Sequence, residues 1–159
     1  MDFRERLQQA AQRGAQARAE REFAEAAEAL SEEECRRRHS QHRLALSEHI
    51  EKCVAGLADN FPGFRLETIV DEKGWGAGVS RDDLRVSRGR RDNYFSRLRV
   101  VVEPYNEYQV MSVTAKGAVR NKETFTRTHY EPIGEFEEAK FRGLIEQWVL
   151  EYAELYAAS

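Results

Sequence analysis

The spacing of apolar positions changes twice along this chain. From residue 2 to about 30 they are sparse: Phe3, Leu7, Ala10 and Gly14, then Phe23, Ala26, Ala27 and Leu30, in a proline-free run of Ala, Glu, Arg and Gln. Such residues lose little side-chain freedom in a helix, so the segment reads as helical. Its stripe is too thin to bury much, and alone in water it is marginal. Further on the stripe thickens. Leu46, Ile50, Cys53, Val54, Leu57 and Phe61 recur at spacings of three and four, which marks one buried helix face. Asn60-Phe-Pro62-Gly63 ends that helix, because proline cannot continue it and glycine permits the turn. Ser31-Glu-Glu-Glu34 has the form of a capping box, so residues 2–59 read either as one helix or as a helical hairpin.

From Phe64 the period becomes two. Phe64, Leu66, Thr68 and Val70 alternate with Arg65, Glu67, Ile69 and Asp71. A glycine-rich loop is expected at 73–78, a short strand around Leu84 and Val86, and a loop over 88–93. The clearest strand is 94–103, with Leu98, Val100 and Val102 on one face. Glu103-Pro-Tyr-Asn-Glu107 reads as a turn, and 108–119 and 123–131 as two more strands around an Arg120-Asn121-Lys122 turn. Short links between successive strands imply an antiparallel meander. In residues 135–157 the helical period returns. Phe141, Leu144, Ile145, Trp148, Val149, Tyr152, Leu155 and Tyr156 form a broad apolar face behind an acidic first turn.

These periods predict an α+β protein. A long N-terminal helical arm precedes an antiparallel sheet of four to five strands, and a C-terminal amphipathic helix packs on one sheet face. The expected division is 1–60, a helical arm and oligomerisation segment, and 61–159, the sheet with its helix.

Charge sharpens the picture. Charged residues make up 33% of the chain, above the usual quarter, so much of residues 1–60 and 81–99 must be solvated. The net charge of −3 argues against a generally basic nucleic-acid binder. Its distribution is uneven: residues 63–99 carry 9 basic and 6 acidic side chains, whereas residues 134–159 carry 2 and 6. An anionic partner would meet the 81–99 stretch. The N-terminus lacks the apolar core of a secretory signal, no run reaches the roughly 18 apolar residues of a membrane span, and Cys35 and Cys53 fit no disulfide framework. A cytoplasmic protein with reduced thiols and no membrane partner is expected.

Three features bear on chemistry. Cys35, His39, His42, Leu46, His49 and Cys53 share a helix face. Cys35, His39 and His42 are the candidate metal ligands, with any completing ligand supplied by an adjacent helix or subunit. The competing reading is a weakly polar helix seam, and no cofactor is implied. Arg88, Arg90, Arg91, Arg97 and Arg99 form the candidate anion or nucleic-acid site. Arg97 and Arg99 lie on an open sheet face with Phe95, and Arg127 with Phe125 is a possible addition. The competing reading is a solvated face neutralised by Asp82, Asp83, Asp92 and Glu103. Gly74-Trp-Gly-Ala-Gly78 matches neither a phosphate-binding loop nor a dinucleotide fingerprint. Trp75 is either an exposed anchor or a side chain folded back on the core.

His129, Tyr130 and Glu131 form no readable catalytic constellation. The residues favour a non-enzymatic structural or protein-interaction module that self-associates by coiled-coil packing of its N-terminal helices, with itself or another protein as partner. The alternative is anion or nucleic-acid binding through the arginine-rich loop and open sheet face.

Overall fold

The computed structural model describes residues 2–159, with the backbone but not the side chains of residues 28–30. Two compact units divide between Arg37 and Arg38.

In the first unit the chain is helical from Phe3 onward, as part of a single helix α1 (Phe3–Asn60). Ser31–Glu34 lies inside that helix, so the one-helix alternative is the observed one. The Asp2 carboxylate caps the start, accepting a 2.8 Å hydrogen bond from the Glu5 amide. Residues 2–27 are exposed throughout. Ion pairs one turn apart support the helix locally: Arg18–Glu22 at 3.1 Å, Glu32–Arg36 at 3.4 Å and Glu34–Arg37 at 2.7 Å. Exposed pairs of this kind each contribute only about 0.2–0.5 kcal/mol.

The second unit holds the rest of α1, five strands and α2 (Glu138–Ala157), the last preceded by a short 3₁₀ turn at Ile133–Glu135. The strands are β1 (Arg65–Asp71), β2 (Gly74–Ser87), β3 (Arg90–Val102), β4 (Val110–Val119) and β5 (Lys122–Pro132). They form one antiparallel sheet in sequence order. One sheet face is covered by both helices. Leu46, Ile50, Val54 and Leu57 of α1 and Phe141, Ile145, Trp148, Val149 and Tyr152 of α2 are buried with Val79, Leu98, Val100 and Met111. Fully burying such side chains contributes about 1.5–3 kcal/mol each. Phe61, Phe64 and Tyr156 close one end of this layer, with edge-to-face ring centroids 4.8–5.2 Å apart around Tyr156.

Three details differ from the pattern reading. In β1 the buried residue is Ile69, while Leu66 and Val70 are exposed. β1 is an edge strand, and Ile69 caps the glycines of β2 on the opposite face. A Cβ on Gly78 would sit 3.2 Å from Ile69 Cδ1, and one on Gly76 only 2.0 Å from the Val100 carbonyl. The glycine run is thus strand, where β2 and β3 approach too closely for side chains. Of the expected loop over 88–93, residues 90–93 are strand and only Arg88-Gly89 is turn. β2 and β3 continue as a two-stranded ribbon to a tight turn at Arg88-Gly89, both with positive φ (53° and 77°), the geometry that matches strand twist in a two-residue hairpin.

Candidate interaction surfaces

The ribbon is built from the longest hairpin of the sheet. Near its base Asn121 hydrogen-bonds to Phe95 and Ser96 is buried, but outward from Leu84 and Asn93 every residue is exposed and both faces meet solvent. Register places Asp82, Leu84, Val86, Arg91, Asn93, Phe95 and Arg97 on one face, and Arg81, Asp83, Arg85, Arg90, Asp92 and Tyr94 on the other. Leu84 and Val86 are 63% and 66% exposed, so apolar groups stand among guanidiniums in water.

The five candidate arginines do not form one cluster. Arg88, Arg90 and Arg91 sit at the ribbon tip, exposed and without ion-pair partners among the described residues. Arg97 lies lower, its guanidinium 5.9 Å from the Phe95 ring centre. Arg99 is at the foot and is neutralised by Asp71, whose carboxyl it holds below the usual range. Arg97, Arg99, Lys73 and Lys116 line a groove of about 700 Å³ on the uncovered sheet face, with Glu103 and Glu123. Of the acidic residues expected to neutralise the stretch, Asp83 pairs with Arg81 at 2.7 Å and Asp82 with Arg65 at 3.8 Å.

Phe125 and Arg127 do not join this face. A register shift between Gly117 and Ala118 turns them toward the helices. Phe125 is buried edge-on to Tyr152, and Arg127 stacks 4.4 Å over Phe125 and reaches Glu151 of α2 at 3.1 Å. Trp75 faces α1, with the Arg43 guanidinium 3.6 Å above its ring centre. It is half-buried and engaged, so its role is structural.

The helical seam has two kinds of member. Cys35 belongs to the first unit and is half-buried. His39 is buried edge-on to Tyr105 at 5.6 Å. Burial, reinforced by the Arg43 charge, pushes its pKa below the usual imidazole value, against a hydrogen bond to the Glu103 backbone. His42 packs on Phe136 with ring centres 4.4 Å apart and is also lowered, chiefly by burial. Both are packing histidines. Two turns beyond His42, His49 Nε2 lies 3.5 Å from Cys53 Sγ and 3.3 Å from Glu146 Oε1 of α2. Burial and then the Glu146 charge hold the Cys53 thiol above its usual pKa. Reading the seam on α1 alone finds His49 and Cys53 but misses Glu146, whose place depends on how α2 docks.

No protein-family model, curated protein or solved structure matches this chain. Function therefore rests on the chemistry of these surfaces. His129 and Glu131, 3.3 Å apart, share an ion cluster with Lys140, which holds the Glu131 carboxyl low. His129 Nε2 is buried and its ring packs on Phe141, so this group reads as a clasp between β5 and α2. Among the described residues, no helix is long and apolar enough to cross a membrane.

Proposed function

We propose that this is a non-enzymatic interaction module that self-associates through the N-terminal part of α1, each helix lying antiparallel on that of a second copy. One observation carries the reading: residues 3–27 form a helix exposed along its whole length, with Phe3, Leu7 and Phe23 at 76%, 57% and 79% exposure. A helix with so little intramolecular support gains its stability from a partner.

Charge selects the partner and its direction. Residues 2–21 hold five arginines and three acidic residues, whereas residues 22–34 hold six glutamates and no basic residue. A parallel pair in register would set glutamates against glutamates. An antiparallel pair sets each acidic block on the other copy's basic block, the self-complementary contact of a two-fold dimer. The alanines between let the helices approach closely. Sedimentation velocity on the full chain across a concentration series tests this. A concentration-dependent dimer is expected, weakened by salt; a monomer at high concentration with a protease-sensitive N-terminus would refute it.

A second reading, polyanion binding, is supported by the ribbon. Arg88, Arg90, Arg91 and Arg97 have no ion-pair partner among the described residues and lie on a two-stranded element of the size that the major groove of duplex DNA admits.

A further inference from the structure

We propose that His49, Cys53 and Glu146 bind one thiophilic divalent cation of the zinc type, clamping α1 to α2.

The sequence supplies the first half of the site. His49 and Cys53 are one turn apart, so their side chains project from the same strip of α1. Docking supplies the other half, since Glu146 meets them from α2. The three donor atoms lie within 4.8 Å of one another. Zinc bonds of about 2.0–2.3 Å in a tetrahedral arrangement place neighbouring donors roughly 3.3–3.8 Å apart. The two closest separations, 3.3 Å and 3.5 Å, already fall in that window. Glu146 is exposed, so its carboxylate can swing to complete the set without disturbing the core. Imidazole, thiolate and carboxylate together suit zinc better than magnesium or calcium, which take oxygen donors.

The geometry also separates a metal site from a nucleophilic one. A cysteine–histidine catalyst uses one imidazole nitrogen for the thiol and the other for an orienting group. Here the thiol and the carboxylate both face Nε2, which is convergence on a point rather than a relay. Thiolate and carboxylate together balance a dication. The nearby Arg142 is engaged by Glu138 at 3.8 Å.

A cavity of about 480 Å³ opens beside Cys53 and Glu146, walled by Leu57, Phe61, Val149 and Leu150. It leaves room for a fourth, exchangeable ligand in an apolar setting, the arrangement of three-ligand sites.

Cobalt(II) titration of the full chain tests the site. One equivalent should give a thiolate-to-cobalt charge-transfer band that competing zinc removes. Cys53→Ser should abolish the band and Cys35→Ser should leave it. Glu146→Gln should weaken binding roughly tenfold or more, the least that losing a ligand should cost when outer-shell partners already cost that much. No charge-transfer band in the wild type, a band that survives Cys53→Ser, or one lost in Cys35→Ser would overturn the proposal. Should Cys53→Ser fail to fold, alkylation of the wild type decides. Zinc should protect Cys53 and not Cys35, and equal labelling of Cys53 with and without zinc would refute the site.

Discussion

The Tyr152 hydroxyl donates a 2.8 Å hydrogen bond to the Ala118 carbonyl, beside the register shift in β4. Burial raises the pKa of this phenol, so it stays a neutral donor. The ring lies so close to Gly117 that a Cβ there would stand 2.9 Å from both Cδ2 and Cε2. Tyr152→Phe should cost about 1–3 kcal/mol by leaving the carbonyl unpaired. Gly117→Ala should cost about 1–3 kcal/mol by overpacking. Urea denaturation measures both, and two neutral variants would contradict this contact.

The two packed histidines make stability depend on pH. His39 and His42 have folded-state pKa values below the ordinary 6.5, so the unfolded chain binds the extra protons. Their contribution is complete above about pH 6.5 and is lost as pH falls through the folded values. The melting temperature of the wild type should therefore fall between pH 7 and pH 5. The fall should be smaller in the His39→Gln/His42→Gln variant. Equal slopes would show that these imidazoles titrate alike in both states.

An antiparallel pair of arms has a residue that faces itself. The charge blocks place that midpoint near residue 20. In a Cys35→Ser/Cys53→Ser background, single cysteines introduced over residues 18–21 should form disulfide-linked dimers, whereas a cysteine at position 7 should not. Efficient linking at position 7 would instead indicate a parallel pair. Replacing Phe3, Leu7 and Phe23 with Ser should weaken the dimer and leave the melting of residues 38–159 unchanged.

The ribbon arginines predict the form of any polyanion binding. Each lost phosphate contact lowers the slope of log affinity against log salt by about 0.9 on duplex DNA. Neutralising Arg88, Arg90, Arg91 and Arg97 should reduce that slope, while Arg99→Gln, already paired with Asp71, should change it less. Affinity and slope unaffected by the fourfold variant would place binding elsewhere.

Where one face of an element is buried, its period was readable. The stripe Leu46–Leu57, the alternation of Leu98, Val100 and Val102, and the face of α2 all lie where expected. Where both faces meet water, period carries no signal, and the ribbon over 88–93 reads as a loop for that reason. The shift between Gly117 and Ala118 moves Phe125 and Arg127 to the other face, which alternation counted along β5 alone does not reveal. Glu146 was hidden for a different reason: its meeting with His49 is set by helix docking, not by spacing.

Each strand pairs only with its neighbours in the chain. The sheet can therefore assemble hairpin by hairpin, without closing a long loop before the first pairs form. The distant contacts that remain are those seating α1 and α2 on the finished face. Docking of the helices, rather than strand pairing, should then set the folding rate, and substitutions at the Leu46–Leu57 and Phe141–Tyr152 interface should slow folding more than substitutions in the ribbon.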